Sequence, residues 1–150
     1  ENVIAYQVGL LRRFKPLVAV GHDREGEYGH GAHRLNALAL EQAVVYAADA
    51  SYDAESAAQY GVWDTPKLYL HFADENPIFL DVETPLESFG GKTAFEVASE
   101  AMLCHESQLQ YAHLPTLASE EFPRYDCRRF GLVRSLVGAD TGNDIMEHLC

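Results

Sequence analysis

Cysteine and basic residues are scarce in this chain of 150 residues, and long apolar runs are missing altogether. The three cysteines, Cys104, Cys127 and Cys150, include no C-x-x-C pair, which excludes a disulfide framework and a thiolate zinc knuckle. They suit free thiols in a reducing compartment such as the cytoplasm without fixing one. Lys and Arg number 11 against 23 Asp and Glu, a formal net charge of −12. That deficit excludes a broad nucleic-acid or anionic-membrane surface, because phosphate binding draws on an excess of Lys and Arg. No segment approaches the roughly eighteen apolar residues of a membrane span. Arg12, Arg13 and Lys15 fall where the apolar stretch of a secretory signal would have to be. G-x-S-x-G and G-x-G-x-x-G are both absent, so neither a nucleophile elbow nor a dinucleotide fingerprint is indicated.

The remaining composition, 47% hydrophobic and 23% charged, is that of an ordinary globular domain. No repeat, low-complexity stretch or linker divides it, so residues 1–150 read as one domain. Val3, Ile4, Tyr6, Leu10, Leu11 and Phe14 recur at helical spacing until Lys15-Pro16. Leu17 to Val20 is a short apolar run of strand character closed by Gly21. A polar, glycine-rich loop spans residues 22–31. A helix is expected from about His33 to Ala50, with Leu35, Leu38, Ala39, Ala43, Val44 and Tyr46 inward. Helix, strand, polar loop, helix is the order of an open α/β sheet, and ligands of such sheets gather beyond the carboxyl ends of the strands. Loop 22–31 occupies that place.

Further on, residues 56–60 suggest a short helix stopped by Gly61. Residues 67–72 and 78–82 read as two strands, and their short connection points to an antiparallel pair. Thr93 and Glu96 form the pattern of a capping box opening a helix to about Gln110. Phe130 to Val133 suggests a strand, followed by a loop at 138–143.

Three of the seven histidines, His22, His30 and His33, fall within twelve residues, beside Asp23, Glu25, Glu27 and Tyr28. His30 and His33 are three apart at a helix start and share a face. Imidazole is a common zinc ligand, and a catalytic zinc takes three His, Asp or Glu donors plus water. From spacing alone, a solvated helix N-terminus accounts for the pair equally well.

The stretch Glu27-Tyr28-Gly29-His30-Gly31-Ala32-His33, preceded by Val20-Gly21-His22-Asp23, resembles the second metal-site motif of the PIG-L/LmbE family. The resemblance continues through Lys67 to His71, Pro85 to Glu96, Cys104 to Gln108 and Gly138 to Asp144. That family comprises zinc-dependent N-deacetylases acting on N-acetylglucosamine-type sugars and conjugates. The resemblance implies a three-layer, Rossmann-like α/β fold, incomplete at its N-terminus, with this chain as the C-terminal part of the domain. It implies that His33 ligates Zn2+, that His30 acts as general acid or oxyanion stabiliser, and that the Tyr28 hydroxyl polarises the carbonyl. The family's His-Pro-Asp-Asp motif, with two zinc ligands and the general base, does not occur in this sequence. The remaining zinc ligands are therefore expected upstream of Glu1. The implied activity of the complete protein is hydrolysis of an N-acetyl group with release of acetate; the alternative is a non-catalytic carbohydrate-binding relative.

Candidate substrate contacts implied by the same resemblance are His105, Asp140 and Asn143, with Asp144 in the same loop as Asn143. Arg128, beside Arg129, could grip an anionic substituent. Each has a plain structural alternative: a helix-end histidine, a turn, solvated arginines. Trp63 and Tyr69 could stack on a sugar, although aromatics in or beside strands are more often core. His22-Asp23 reads first as a turn pair. With one expected ligand of its own, the chain alone is expected to hold no stable catalytic zinc. Exposed sheet edges would invite self-association or pairing with an N-terminal fragment.

Overall fold

The computed structural model describes residues 2–104, 106 and 126–149. They form a mixed α/β chain: α1 (Asn2–Phe14), β1 (Val18–Gly21), α2 (Gly31–Ala48), α3 (Ala54–Tyr60), β2 (Lys67–His71), β3 (Pro77–Phe79), α4 (Ala94–Met102) and β4 (Arg129–Ser135). Contacts divide the chain into two units, one of Glu1–Ile78 with Phe130–Cys150 and one of Phe79–Arg129. Among the described residues no helix is long and apolar enough to cross a membrane.

The sheet has the order β1-β2-β4-β3. β1 runs parallel to β2, pairing Val18 with Lys67 and Gly21 with Leu70, and β2 runs antiparallel to β4. The expected hairpin between residues 67–72 and 78–82 does not form, because β4 stands between β2 and β3. The chain leaves β2 through Phe72 and returns through Asn76, both with positive φ (57° and 38°). The Asn76 carbonyl then accepts from Leu132 N–H of β4. Gly131 makes the close approach possible: a Cβ there would lie 2.5 Å from the Ala73 carbonyl oxygen.

α1, α2 and the sheet share one apolar cluster. Val8 and Leu11 of α1 and Ala37, Leu40, Ala43, Val44 and Ala47 of α2 meet Ala19 of β1 and Leu68 and Leu70 of β2. α2 therefore faces inward with a stripe that is mostly alanine. Leu35 and Leu38, expected inside, are about half exposed. The reason is space: Gly21 is in contact range of Leu40 and Leu70, and a Cβ there would meet their Cδ2 atoms at 2.9 and 2.7 Å. So close a helix–sheet approach admits small residues and rotates the leucines out.

Arg12 is fully buried in α1. Its guanidinium donates to the carbonyls of Tyr46, Ala47, Asp49, Tyr52 and Asp53 and to Ser56 Oγ. It thereby adds a second partner to the Tyr46 and Ala47 carbonyls at the end of α2, which also accept from Asp49 and Trp63 N–H. On the other side of β2, buried Lys67 Nζ lies 2.6 Å from Asp140 Oδ1, and Tyr69 hydroxyl donates to Asp140 Oδ2. This contact fastens the loop after β4 to the central strand.

In the second unit, Asp81 accepts from Glu83 N–H, Thr84 N–H and Thr84 Oγ1. Thr93 and Glu96 form the expected capping box at the start of α4. α4 ends at Met102, with Leu103 and Cys104 in a turn; residues 107–110 of the longer helix expected there lie outside the described residues.

Candidate metal centre

His22 follows β1 directly and His71 ends β2. Because the two strands are parallel, with Gly21 opposite Leu70, both histidines emerge at the same, carboxyl end of the sheet. Between β1 and α2 the loop makes a 3₁₀ turn at Glu27–Gly29, entered through Gly26 at φ +72°. A Cβ at Gly26 would lie 2.4 Å from the His30 carbonyl oxygen, so the loop folds back tightly only with glycine there. The turn points Glu27 inward, and α2 carries His33 in its first turn.

Glu27 is the hub. Its side chain is 10% exposed. His71 Nδ1 lies 2.9 Å from Oε1, which also accepts from Asp23 N–H. His22 Nδ1 lies 3.0 Å from Oε2 and His33 Nδ1 2.8 Å from the same oxygen. The His22 and His33 rings stack at 4.2 Å, almost parallel. One donor atom each from His22, Glu27 and His33 lies within 4.8 Å of the others.

Burial acts to raise the Glu27 carboxyl, but bonds from His71 and from the backbone N–H groups of Glu27 and Asp23, with the His22 charge, hold it down at about 2. Glu27 is thus a carboxylate at neutral pH. His33 is shifted down, first by burial and then by the charges of His22 and His30, against the pull of Glu27, which favours the neutral imidazole that binds metals. His22, Glu27, His33 and His71 line an open cleft of about 600 Å³ with Val20, Gly21, Asn36 and Phe130.

The donor set fits a zinc-type ion, and one atom makes the fit specific. His33 Nδ1 is shielded from solvent and pairs with Glu27 Oε2 at 2.8 Å outside good hydrogen-bond geometry. A poorly directed contact stabilises a buried nitrogen less than an aligned one, and an ion between the three side chains would engage it.

Of the residues singled out in the sequence, His33 stands in this cluster. His30 is exposed beside it, its ring 4.4 Å from that of His33. The backbone of Tyr28 lies in the 3₁₀ turn. Asp140 is buried and engaged by Lys67 and Tyr69, and Asn143 lies on an exposed loop; neither lines the cleft. Arg128 belongs to the second unit, where it pairs with Asp126 at 2.7 Å and Glu83 at 3.1 Å. Tyr69 is fully buried, and Trp63 Nε1 donates to the Pro16 carbonyl. His105 lies outside the described residues.

Sequence reasoning passed over Glu27 and His71 as site residues and read His22 first as a turn residue. The available signal was positional: His22 and His71 each terminate a short apolar strand, and strands of a parallel pair present their ends together. Compared with protein-family models, curated proteins and solved structures, the chain matches none.

Proposed function

We propose that the complete protein is a zinc-dependent deacetylase of the PIG-L/LmbE type, removing acetate from an N-acetylglucosamine-type sugar or conjugate on a Rossmann-like three-layer fold. The observation that carries this reading is the convergence of His33 Nδ1 with the Glu27 carboxylate and His22, donor atoms within 4.8 Å of one another, in the cleft at the carboxyl end of the sheet. The mixed α/β architecture is compatible with it.

A zinc ion bound there would polarise the acetyl carbonyl and lower the pKa of water toward about 7. His33 holds the ion. His30, exposed and with its ring 4.4 Å from that of His33, is the residue that the resemblance offers to protonate the departing amine, the role of a general acid. Tyr28 is the residue that the resemblance offers to the oxyanion; one such donor is worth roughly 2.7–4 kcal/mol in acyl transfer. Asn36 supplies an amide to the cleft wall, and Val20 and Phe130 an apolar surface for the acetyl methyl.

The test is acetate release from N-acetylglucosamine conjugates by the zinc-loaded protein, alongside His33→Ala. Loss of both zinc and activity in the variant supports the reading; unchanged zinc content and activity refute it. Sugar binding without acetate release replaces it with the non-catalytic carbohydrate-binding alternative.

A further inference from the structure

We infer that the outward face of α2 is a self-association surface, on which two copies of this chain pair their α2 helices antiparallel about a two-fold axis near Gln42. The surface uses none of the residues that line the cleft. It stands independently of the deacetylase reading.

The two faces of α2 differ in an unusual direction. Its inward stripe is mostly alanine, and its larger apolar side chains point the other way: Leu35, Leu38 and Val45 are 54, 48 and 55% exposed. With Gln42 they recur at steps of three, four and three residues, the a and d spacing of a helix–helix seam. A helix that is apolar on both sides is normally covered on both, and a run of large exposed apolar residues marks an interface. Arg34 bounds the stripe at its start and Asp49 at its end, and both are exposed.

Those two charges specify the partner. Arg34 stands in the opening turn of α2 and Asp49 at its C-cap, where each opposes the helix dipole, so neither is placed for the stability of α2 alone. An antiparallel copy reverses the order of charges. Setting Leu38 opposite Val45 of the second copy sets Arg34 opposite its Asp49, because Arg34 lies four residues before Leu38 and Asp49 four after Val45. Two-fold symmetry then makes each contact twice. Between its ends the stripe carries no charge, and Glu41 at its flank is engaged by Arg24 through both oxygens. Two chains of net charge −12 therefore meet over a locally neutral seam. Arg34 lies 3.9 Å from Glu25 and Asp49 bonds Ser51 through Oδ1 alone, so both ends have capacity for a partner.

The experiment follows mass against concentration by analytical ultracentrifugation, from low micromolar to near-millimolar protein. A monomer–dimer equilibrium with a Kd on the order of 10 µM is expected, as suits a seam one helix wide. Leu38→Glu should weaken it about a hundredfold by burying two carboxylates in the seam; circular dichroism should show the fold unchanged, because residue 38 is half exposed. Arg34→Glu and Asp49→Arg should each weaken it about tenfold by setting like charges opposite one another. An equimolar mixture of these two variants should form a heterodimer as tight as the unaltered dimer, which neither a folding defect nor an interface elsewhere would produce. Leu38→Glu and Arg34→Glu keep the test decisive if Asp49→Arg disturbs the turn that Asp49 shares with Ser51. A chain monomeric throughout would overturn the inference and leave the stripe to an unlike partner. Association untouched by Leu38→Glu, as through the outer edge of β1, would overturn it too, as would folded charge variants that fail to complement each other.

Discussion

Replacing Arg12 by methionine keeps the length and apolar stem of the side chain and removes only its guanidinium, so the cost can be worked out from the acceptors left behind. The guanidinium makes six bonds, five of them to carbonyls. Four of those carbonyls keep a backbone partner: Tyr46 accepts from Asp49, Ala47 from Trp63, Asp49 from Tyr52, and Asp53 from Ala57. Hydrogen bonds to a charged group contribute about 1.5–3 kcal/mol each when nothing replaces them, but carbonyls still singly bonded lose much less. A loss of about 3–5 kcal/mol follows, similar to breaking a buried ionic contact. For a chain of this size that is a fall in Tm of about 6–20 °C, measured by circular dichroism and checked by urea unfolding. Arg12→Lys keeps the charge but not the fork, and is expected to lose about half as much. A methionine variant within about 1 kcal/mol of wild type, or a lysine variant equal to it, would refute the reasoning.

Gly26→Ala forces a Cβ against the His30 carbonyl at positive φ; about 1–2 kcal/mol of stability should go, and Zn2+ affinity should fall with it because Glu27 is the next residue. Lys67→Met strands the buried Asp140 carboxylate and should cost about 3–5 kcal/mol in urea unfolding, whereas Lys67→Met with Asp140→Leu should recover most of it. Thr93→Ala removes the capping box of α4 and should speed amide exchange in residues 94–97, in keeping with about 1 kcal/mol of helix stability. Glu147 is held at about 2, first by the Thr141 hydroxyl and then by the backbone N–H groups of Gly142 and Thr141. A lowered folded-state pKa stabilises above the unfolded value near 4.5 and loses that help as pH falls toward 2. NMR titration of the Glu147 carboxyl should follow that window, and a midpoint near 4.5 would contradict it.

α1, β1, α2, β2 and the capping box were legible because each is written in local periodicity and punctuation. Partners are not written locally. The five residues Ala73 to Pro77 looked like a hairpin connection, and nothing in them announces that a strand more than fifty residues later inserts between the two they join. The face of α2 was misjudged because large side chains were weighted over alanines, whereas close packing at Gly21 selects the alanines. Nothing local marks Arg12 as a buried residue, since its acceptors lie more than thirty residues away. Within the site, the motif exposed His33 and His30. Glu27 acquires its meaning only when strand register brings His22 and His71 to it.

The amine of Lys67 is shut away from water beneath the loop that carries Asp140. Acylating reagents that label lysines can therefore reach it only when that loop lifts. The rate at which residue 67 becomes labelled is a built-in clock for local opening of the chain's end, readable by mass spectrometry without any added probe.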